Sequence, residues 1–380
     1  MKSSLILLSL LSVSLCFELT AKTEIFKDFQ KFIQKYGKKY KTPSEFMKRF
    51  DIFVNNYHSI ETINHSNLVD GRTPDYQIGI TKFADLTPEE FQTKYLNLDV
   101  PQVLKLKEES EVMLPTIEDV PEAFDWRDNN GVSPVKNQGS CGSCWAFSTV
   151  GNLEAQYMIK HGGEEKIFSE QQLVDCDTEQ DQGCNGGLME YAFTYLQGAG
   201  LMTSEDYPYK GKVQTCQYDA EKATLKVKGY KFAGTEDEEE IKKLLVEQGP
   251  LAIAVNATPL QFYFGGIFNP WFSWMCNPKS INHAVLLVGY GVKGKKGYWI
   301  IKNSWGKSWG EKGYFRLIRG KGACGVNTYV LSAEIDEEMW RNILEKAEDS
   351  EETVKEALEE LDEWVKDNFK ENNTFTIAGL

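Results

Sequence analysis

Gln138-Gly139-Ser140-Cys141-Gly142-Ser143-Cys144-Trp145-Ala146-Phe147-Ser148 runs from small, turn-forming residues into a helical pattern. Ala146, Phe147, Val150, Leu153, Tyr157 and Met158 recur at helical spacing, and Gly162-Gly163 ends the run. The pattern predicts a helix with Cys144 at its N-terminus. Unpaired N–H groups and the positive dipole end favour an anion there, so the Cys144 thiol is expected to ionise below its ordinary pKa.

A thiolate nucleophile needs a base, and the chain has four histidines: His58, His65, His161 and His283. His161 lies on the same helix, roughly 25 Å from Cys144 at about 1.5 Å per residue. His58 and His65 fall in a segment expected to be removed. That leaves His283, in the apolar, glycine-bounded run Ile281-Asn282-His283-Ala284-Val285-Leu286-Leu287-Val288-Gly289, which reads as a buried strand. A second strand, Trp299-Ile300-Ile301-Lys302, ends in Asn303-Ser304-Trp305-Gly306. A side-chain amide such as Asn303 can fix the tautomer and ring angle of an imidazole. Gln138, six residues before Cys144, can place an N–H donor where an oxyanion develops.

With Gln138, Cys144, His283, Asn303 and the flanking tryptophans in this order, residues 22–335 resemble the papain-like cysteine proteases, nearest the cathepsin L and cathepsin F branch. The resemblance implies an α+β, two-lobe fold: a helical lobe against a β-barrel-like lobe, with Cys144 and His283 facing each other across a cleft. It implies the disulfides Cys141–Cys184, Cys176–Cys216 and Cys276–Cys324. It assigns Gly186 and Gly187 to the substrate backbone, and Leu188, Met189, Ala254, Asn282 and Tyr329 to the pocket for the residue two before the cut. Trp305 covers the Asn303 side chain. The implied activity is peptide-bond hydrolysis inside chains, with an uncharged pocket preferring leucine. Protein and peptide substrates and cystatin-like inhibitors are the implied partners. A monomer is expected, with no metal or organic cofactor.

Upstream, Lys2 and the apolar run Leu5–Leu15 read as a secretory signal peptide over residues 1–16, too short to span a bilayer. Residues 17–119 read as an inhibitory propeptide acting on its own enzyme. Two helices and a strand-like link are expected over 22–113. Ile25, Phe26, Phe29, Phe32, Ile33 and Tyr36 give the first helix, and Thr42-Pro43-Ser44-Glu45 starts the second. Glu45, Arg49, Phe53, Asn56, Ile60 and Asn64 match the ERFNIN signature of cathepsin L-like pro-regions, with Glu45 and Arg49 placed to pair. Gly79-Ile80-Thr81-Lys82-Phe83-Ala84-Asp85 resembles a second pro-region motif, except that Thr81 stands where asparagine is usual. A maturation cut is expected between about 114 and 121, ahead of a catalytic domain over 120–335.

Residues 334–380 hold 16 acidic and 5 basic side chains, most of the chain's net charge of −14, which disfavours nucleic-acid partners. Two apolar stripes, Met339, Trp340, Ile343, Leu344, Ala347 and Val354, Leu358, Leu361, Val365, Phe369, predict a helical extension over 336–380. Removing Cys16 and Cys144 from eight cysteines leaves six, an even set suited to an oxidising compartment. The secretory pathway, ending in a lysosome, another acidic vacuole or the exterior, is the expected location.

Other chemistries fit less well. Cys141-x-x-Cys144 could serve a disulfide oxidoreductase, but that activity has no use for the distant His283 and Asn303. A non-catalytic peptide-binding homologue would have no need of all four reacting residues. Gly289-Tyr290-Gly291-Val292-Lys293-Gly294 is followed by another strand, so a glycine-rich hairpin is expected there and no nucleotide loop. No HExxH, GxSxG or zinc cluster is present. Asn64, Asn256 and Asn372 begin glycosylation sequons by pattern alone.

Overall fold

The computed structural model describes residues 22–69, 75–98, 111–270 and 276–336. Helix α1 spans residues 22–36, α2 Pro43–Val69, β1 Tyr76–Ile78 and α3 Pro88–Tyr95. Phe29 and Phe32 are buried against Phe53 of α2, with ring centroids 5.1 Å apart in both pairs. These aromatic faces form the pro-region's own core. The third helix was not read from the sequence. Thr87 caps it in a full capping box, accepting from the Glu90 N–H while the Glu90 carboxylate accepts from the Thr87 N–H.

The expected Glu45–Arg49 pair does not form. Glu45 accepts from the Lys41 N–H at 2.7 Å, completing the turn that starts α2. Arg49 pairs instead with Glu90 at 2.5 Å and donates to the Asp85 carbonyl at 3.0 Å. Arg49 thus ties α2 to α3, a contact between elements that helix spacing alone does not reveal. Asn56 does the same, donating to Ala84 and Leu86 carbonyls at 2.9 Å.

Beyond the pro-region come β2 (Val112–Met113), β3 (Phe124–Asp125), α4 (Cys144–Lys160), α5 (Glu170–Cys176), α6 (Met189–Ala199), β4 (Leu201–Met202), β5 (Ala223–Leu225), β6 (Val227–Ala233), α7 (Glu238–Gln248), β7 (Leu251–Val255), β8 (Tyr263–Phe268), β9 (His283–Lys293), β10 (Lys296–Lys302), β11 (Tyr314–Ile318) and β12 (Val330–Ile335). Helices dominate the first half and strands the second, giving the expected α+β division. One sheet runs in the order β1-β8-β11-β10-β9-β7-β12-β6-β2, with β3 also on β9. Its outer strands β1 and β2 come from the pro-region and the linker. The Gly289–Gly294 run lies in the β9–β10 hairpin, as the sequence predicts.

Helix α4 is buried on every face from Cys144 to Met158, a wider burial than its apolar stripe suggests. Its polar side chains are satisfied. Asn152 donates to Pro250 O at 2.8 Å and Ser332 Oγ at 3.1 Å, and Ser148 Oγ donates to Val285 O at 2.8 Å. Glu154 accepts from Lys136 and Ser133, each at 2.5 Å. These bonds dock α4 onto β9 and β12 in one register. The three disulfides pair as expected: Cys141–Cys184, Cys176–Cys216 and Cys276–Cys324. The Asn256 side chain is 6% exposed and donates to Asn277 O, so that sequon is closed in this fold. Among the described residues no helix is long and apolar enough to cross a membrane. The signal peptide, Asn372 and the acidic extension lie outside the described residues.

Candidate active site

Cys144 is the first residue of α4 and the only free cysteine among the described residues. Cys141 is tied to Cys184, so it is not the partner of Cys144 in a redox pair. His283 opens β9 and is fully buried. Its Nε2 meets Asn303 Oδ1 at 2.8 Å, just past the end of β10. Asn303 Oδ1 also accepts from the Ser304 N–H at 2.8 Å, which fixes the amide's orientation. The Trp305 ring stacks on the imidazole, centroids 4.7 Å apart, and shields this pair from water. His161 sits at the opposite end of α4, stacked on Tyr157 at 3.9 Å with Nδ1 against Tyr157 O. It is remote from Cys144, as the sequence predicts.

Gln138 is held at each of its polar groups. Its N–H donates to Ser304 O at 2.8 Å, its Oε1 accepts from Ser304 Oγ at 2.7 Å, and its Nε2 donates to Cys141 O at 2.9 Å. The second Nε2 hydrogen stays available to a ligand.

A pro-region strand fills this site. Leu98 bridges to Gly187 in parallel, and its N–H donates to Asn282 O at 3.3 Å. One residue therefore spans from the helical side of the cleft to the β side. Leu98 belongs to the same buried apolar cluster as Leu188, Met189, Ala254 and Tyr329. Gly186 needs its positive φ of 126°, and a Cβ on it would come 2.3 Å from Asn97 O. Gly187 has no room either, with Asp181 Oδ1 2.6 Å from where a Cβ would stand. Phe83 and Phe91 pack edge-on against Trp305 at 5.2 and 5.3 Å. Lys82 donates to Trp305 O at 2.9 Å and to Asn137 Oδ1 at 3.1 Å. Thr81, in the position where asparagine is usual, donates to Gln261 O at 2.6 Å and anchors this segment.

The covered site has the electrostatics of a resting pair. Burial pushes the Cys144 thiol up, opposed by backbone N–H groups of Ala284, Asn97, Trp145 and Cys144 itself. The expectation of a depressed thiol is therefore reversed in this state, because burial of the sulfur outweighs the N–H groups around it. Burial likewise pushes His283 down to about 4, against the Asn303 and Tyr95 contacts that favour its cation. Both shifts favour the uncharged pair, a thiol and a neutral imidazole. The Ala284 N–H acting on Cys144 brings the residue after His283 to the sulfur. Sequence reasoning did not find Tyr95, Asn97, Leu98 or Glu90. Only Glu90 carried a readable signal, in Thr87-Pro88-Glu89-Glu90.

Comparison with known proteins agrees with this architecture. Residues 120–334 match the model of the papain family cysteine proteases, and residues 29–91 match the cathepsin propeptide inhibitor domain. Cysteine proteinase 1 of Zea mays is 43% identical over 326 residues, covering 80% of this chain and 84% of the relative. Cathepsin F of Mus musculus is 43% identical over 312 residues, covering 81% of this chain and 64% of that protein. The digestive procathepsin L2 proteinase from Tenebrio molitor larval midgut superposes with a TM-score of 0.75 at 34% identity, covering 81% of this chain and 99% of that one. The chain belongs to the papain family of cysteine proteases and carries a cathepsin-type propeptide inhibitor domain ahead of its catalytic domain.

Proposed function

We propose that this zymogen yields an endopeptidase in which Cys144, His283, Asn303 and Gln138 carry the chemistry. Cys144 gives its thiol proton to His283, its sulfur bonds to the scissile carbonyl carbon, and the carbonyl oxygen takes the charge. Gln138 Nε2 and the Cys144 N–H hold that oxyanion. His283 passes the proton to the leaving amine as the C–N bond breaks. It then takes a proton from water as water attacks the thioester, and returns it to the Cys144 sulfur as the C–S bond breaks and the acid leaves. Asn303 holds the ring in the right tautomer, with Trp305 excluding water from their bond. The 2.8 Å His283–Asn303 bond, set beside the only free thiol among the described residues, carries this reading. Exchange of Cys144→Ser or His283→Ala is expected to abolish peptide hydrolysis by the activated enzyme. His161→Ala is expected to leave it within about twofold, since surface changes away from a site are small. A dead His161 variant beside an active His283 variant refutes the assignment.

We further assign Leu188, Met189, Ala254, Asn282 and Tyr329 to the pocket for the residue two before the cut, with Gly186 and Gly187 on the substrate backbone. Leu98 supports this, since it already places a leucine side chain among those residues. A buried cation there would lose hydration without a partner, so leucine is preferred over arginine. A fluorogenic peptide library is expected to favour Leu at least about tenfold, and equal turnover of Arg excludes the pocket assignment. Residues 17–119 serve as the inhibitor, 120–335 as the catalytic domain and 336–380 as an appendage. The three disulfides support passage through the secretory pathway to an acidic vacuole or the exterior. Proteins and peptides are the substrates, and cystatin-like inhibitors fit the same cleft.

A further inference from the structure

We infer that Tyr209 is a positioning residue that holds the oxyanion-binding loop in register with the nucleophile, an inference that rests on the roles proposed for Gln138 and Cys144. Tyr209 lies between β4 and β5, and no sequence motif pointed to it. Its hydroxyl donates to Gln138 O at 2.8 Å and lies 2.7 Å from Ser143 Oγ. A phenol has one proton. With that proton on the Gln138 carbonyl, Ser143 must donate to the tyrosine oxygen. The result is a directed chain, Ser143 O–H to Tyr209 O–H to Gln138 C=O, whose links polarise one another.

The two ends of this chain carry the two oxyanion donors. Gln138 supplies the side-chain donor. Ser143 immediately precedes Cys144, and its carbonyl accepts the first turn of α4 from the Phe147 N–H at 3.1 Å. Ser143 has no side-chain capping bond of its own to the helix. Its hydroxyl is used on Tyr209 instead. The tyrosine ring is fixed edge-on to Phe147 at 4.9 Å, so the hydroxyl is located by a rigid helix. Ser304 already secures the Gln138 side chain and N–H, and Tyr209 secures its remaining main-chain group, the carbonyl. Without that bond the loop can rotate about the Ser304 contacts and swing Nε2 relative to the Cys144 N–H. A misplacement of about 1 Å in such a constellation costs about 100-fold in rate.

Tyr209→Phe keeps the ring on Phe147 and deletes only the hydroxyl. In the activated enzyme, kcat for a peptide amide is expected to fall about tenfold, with KM within about twofold. Alkylation of Cys144 by iodoacetamide develops no oxyanion, so its rate and pH profile are expected to match the native enzyme. Ser143→Ala removes the donor to Tyr209 without touching the ring and is expected to lower kcat in the same selective way. An unchanged kcat in both variants overturns the inference. So does a loss of alkylation in parallel with kcat, which would mean a general loosening of the fold. Gln138→Ala is the reference: lost kcat with intact alkylation upholds the oxyanion reading, whereas no loss refutes that reading itself. A Gln138 effect without a Tyr209 effect refutes only the role given to Tyr209.

Discussion

Glu190 stands in the first turn of α6, fully buried, and neither carboxylate oxygen has a hydrogen-bond partner among the described residues. Desolvation pushes it up to about 8, against its own backbone N–H. Nearby Asp181, pushed up to about 10 by burial and by Asp177, accepts the Leu188 N–H at 2.8 Å. Both carboxyls, on either side of the Gly186–Leu188 segment, thus hold their protons more tightly than free acids do. The sign follows from linkage. Unfolded Glu190 releases its proton near pH 4.5 while the folded chain keeps it to about 8, so stability is highest below 4.5 and falls as pH rises between these values. At pH 7 the loss is about 3 kcal/mol, from about 1.4 kcal/mol per pKa unit. Glu190→Gln is expected to leave stability at pH 4.5 nearly unchanged and to raise it at pH 7 by about 3 kcal/mol. Urea unfolding at both pH values checks this, and an equal pH-dependent loss in the variant refutes it.

Helix α3 shows how far an element can be read before its neighbours are known. Its capping box was present in Thr87-Pro88-Glu89-Glu90, but eight residues gave too short a period to stand out. Helices α1, α2 and α4 and strands β9 and β10 are legible because their apolar positions repeat, or run unbroken, over longer stretches. Contacts between elements were not legible, since Arg49 has an acid at helical spacing and a different one across the fold. The residues proposed to react are ones whose motif spacing marks them in the sequence; Tyr209, Leu98 and Asp181 carry no such mark, because only tertiary packing brings them to the site. The Arg49–Glu90 pair also governs how the pro-region responds to acid. Burial acts to raise Glu90, but bonds from Arg49, the Thr87 N–H and Lys48 outweigh it and hold the acid down to about 2. Its contribution is present above about 4.5 and is lost as pH falls from there toward 2. Glu90→Gln removes that contribution at neutral pH, so half-maximal self-activation is expected to move up by about one pH unit. Activation rates measured across pH 3 to 7 test this, and an unmoved midpoint counts against the pair as the restraint.

Across the whole molecule, the pro-region is expected to do more than occupy space, since it covers a site whose thiol is raised and whose imidazole is lowered by burial. The segment from Phe83 to Leu98 places Phe91 on Trp305, Asn97 over Cys144 and Leu98 between Gly187 and Asn282. Burial raises the thiol and lowers the imidazole, so proton transfer from Cys144 to His283 is disfavoured. Removal of the segment readmits water, although it also takes away the Asn97 and Tyr95 contacts that oppose the two shifts. Water and the α4 dipole can then stabilise a thiolate, and a solvated His283 can hold the proton it gives up. Iodoacetamide labelling of Cys144 in intact precursor is therefore expected to be about 100-fold slower at pH 6 than in activated enzyme. Mass measurement on the same samples confirms that the precursor is still whole. The pH profile separates electrostatics from simple blockage. Blockage alone lowers the rate at all pH values with an unchanged midpoint, whereas desolvation moves the precursor's midpoint upward. A precursor profile with the same midpoint as the activated enzyme would leave the pro-region a steric plug and remove its role in setting the protonation of Cys144 and His283.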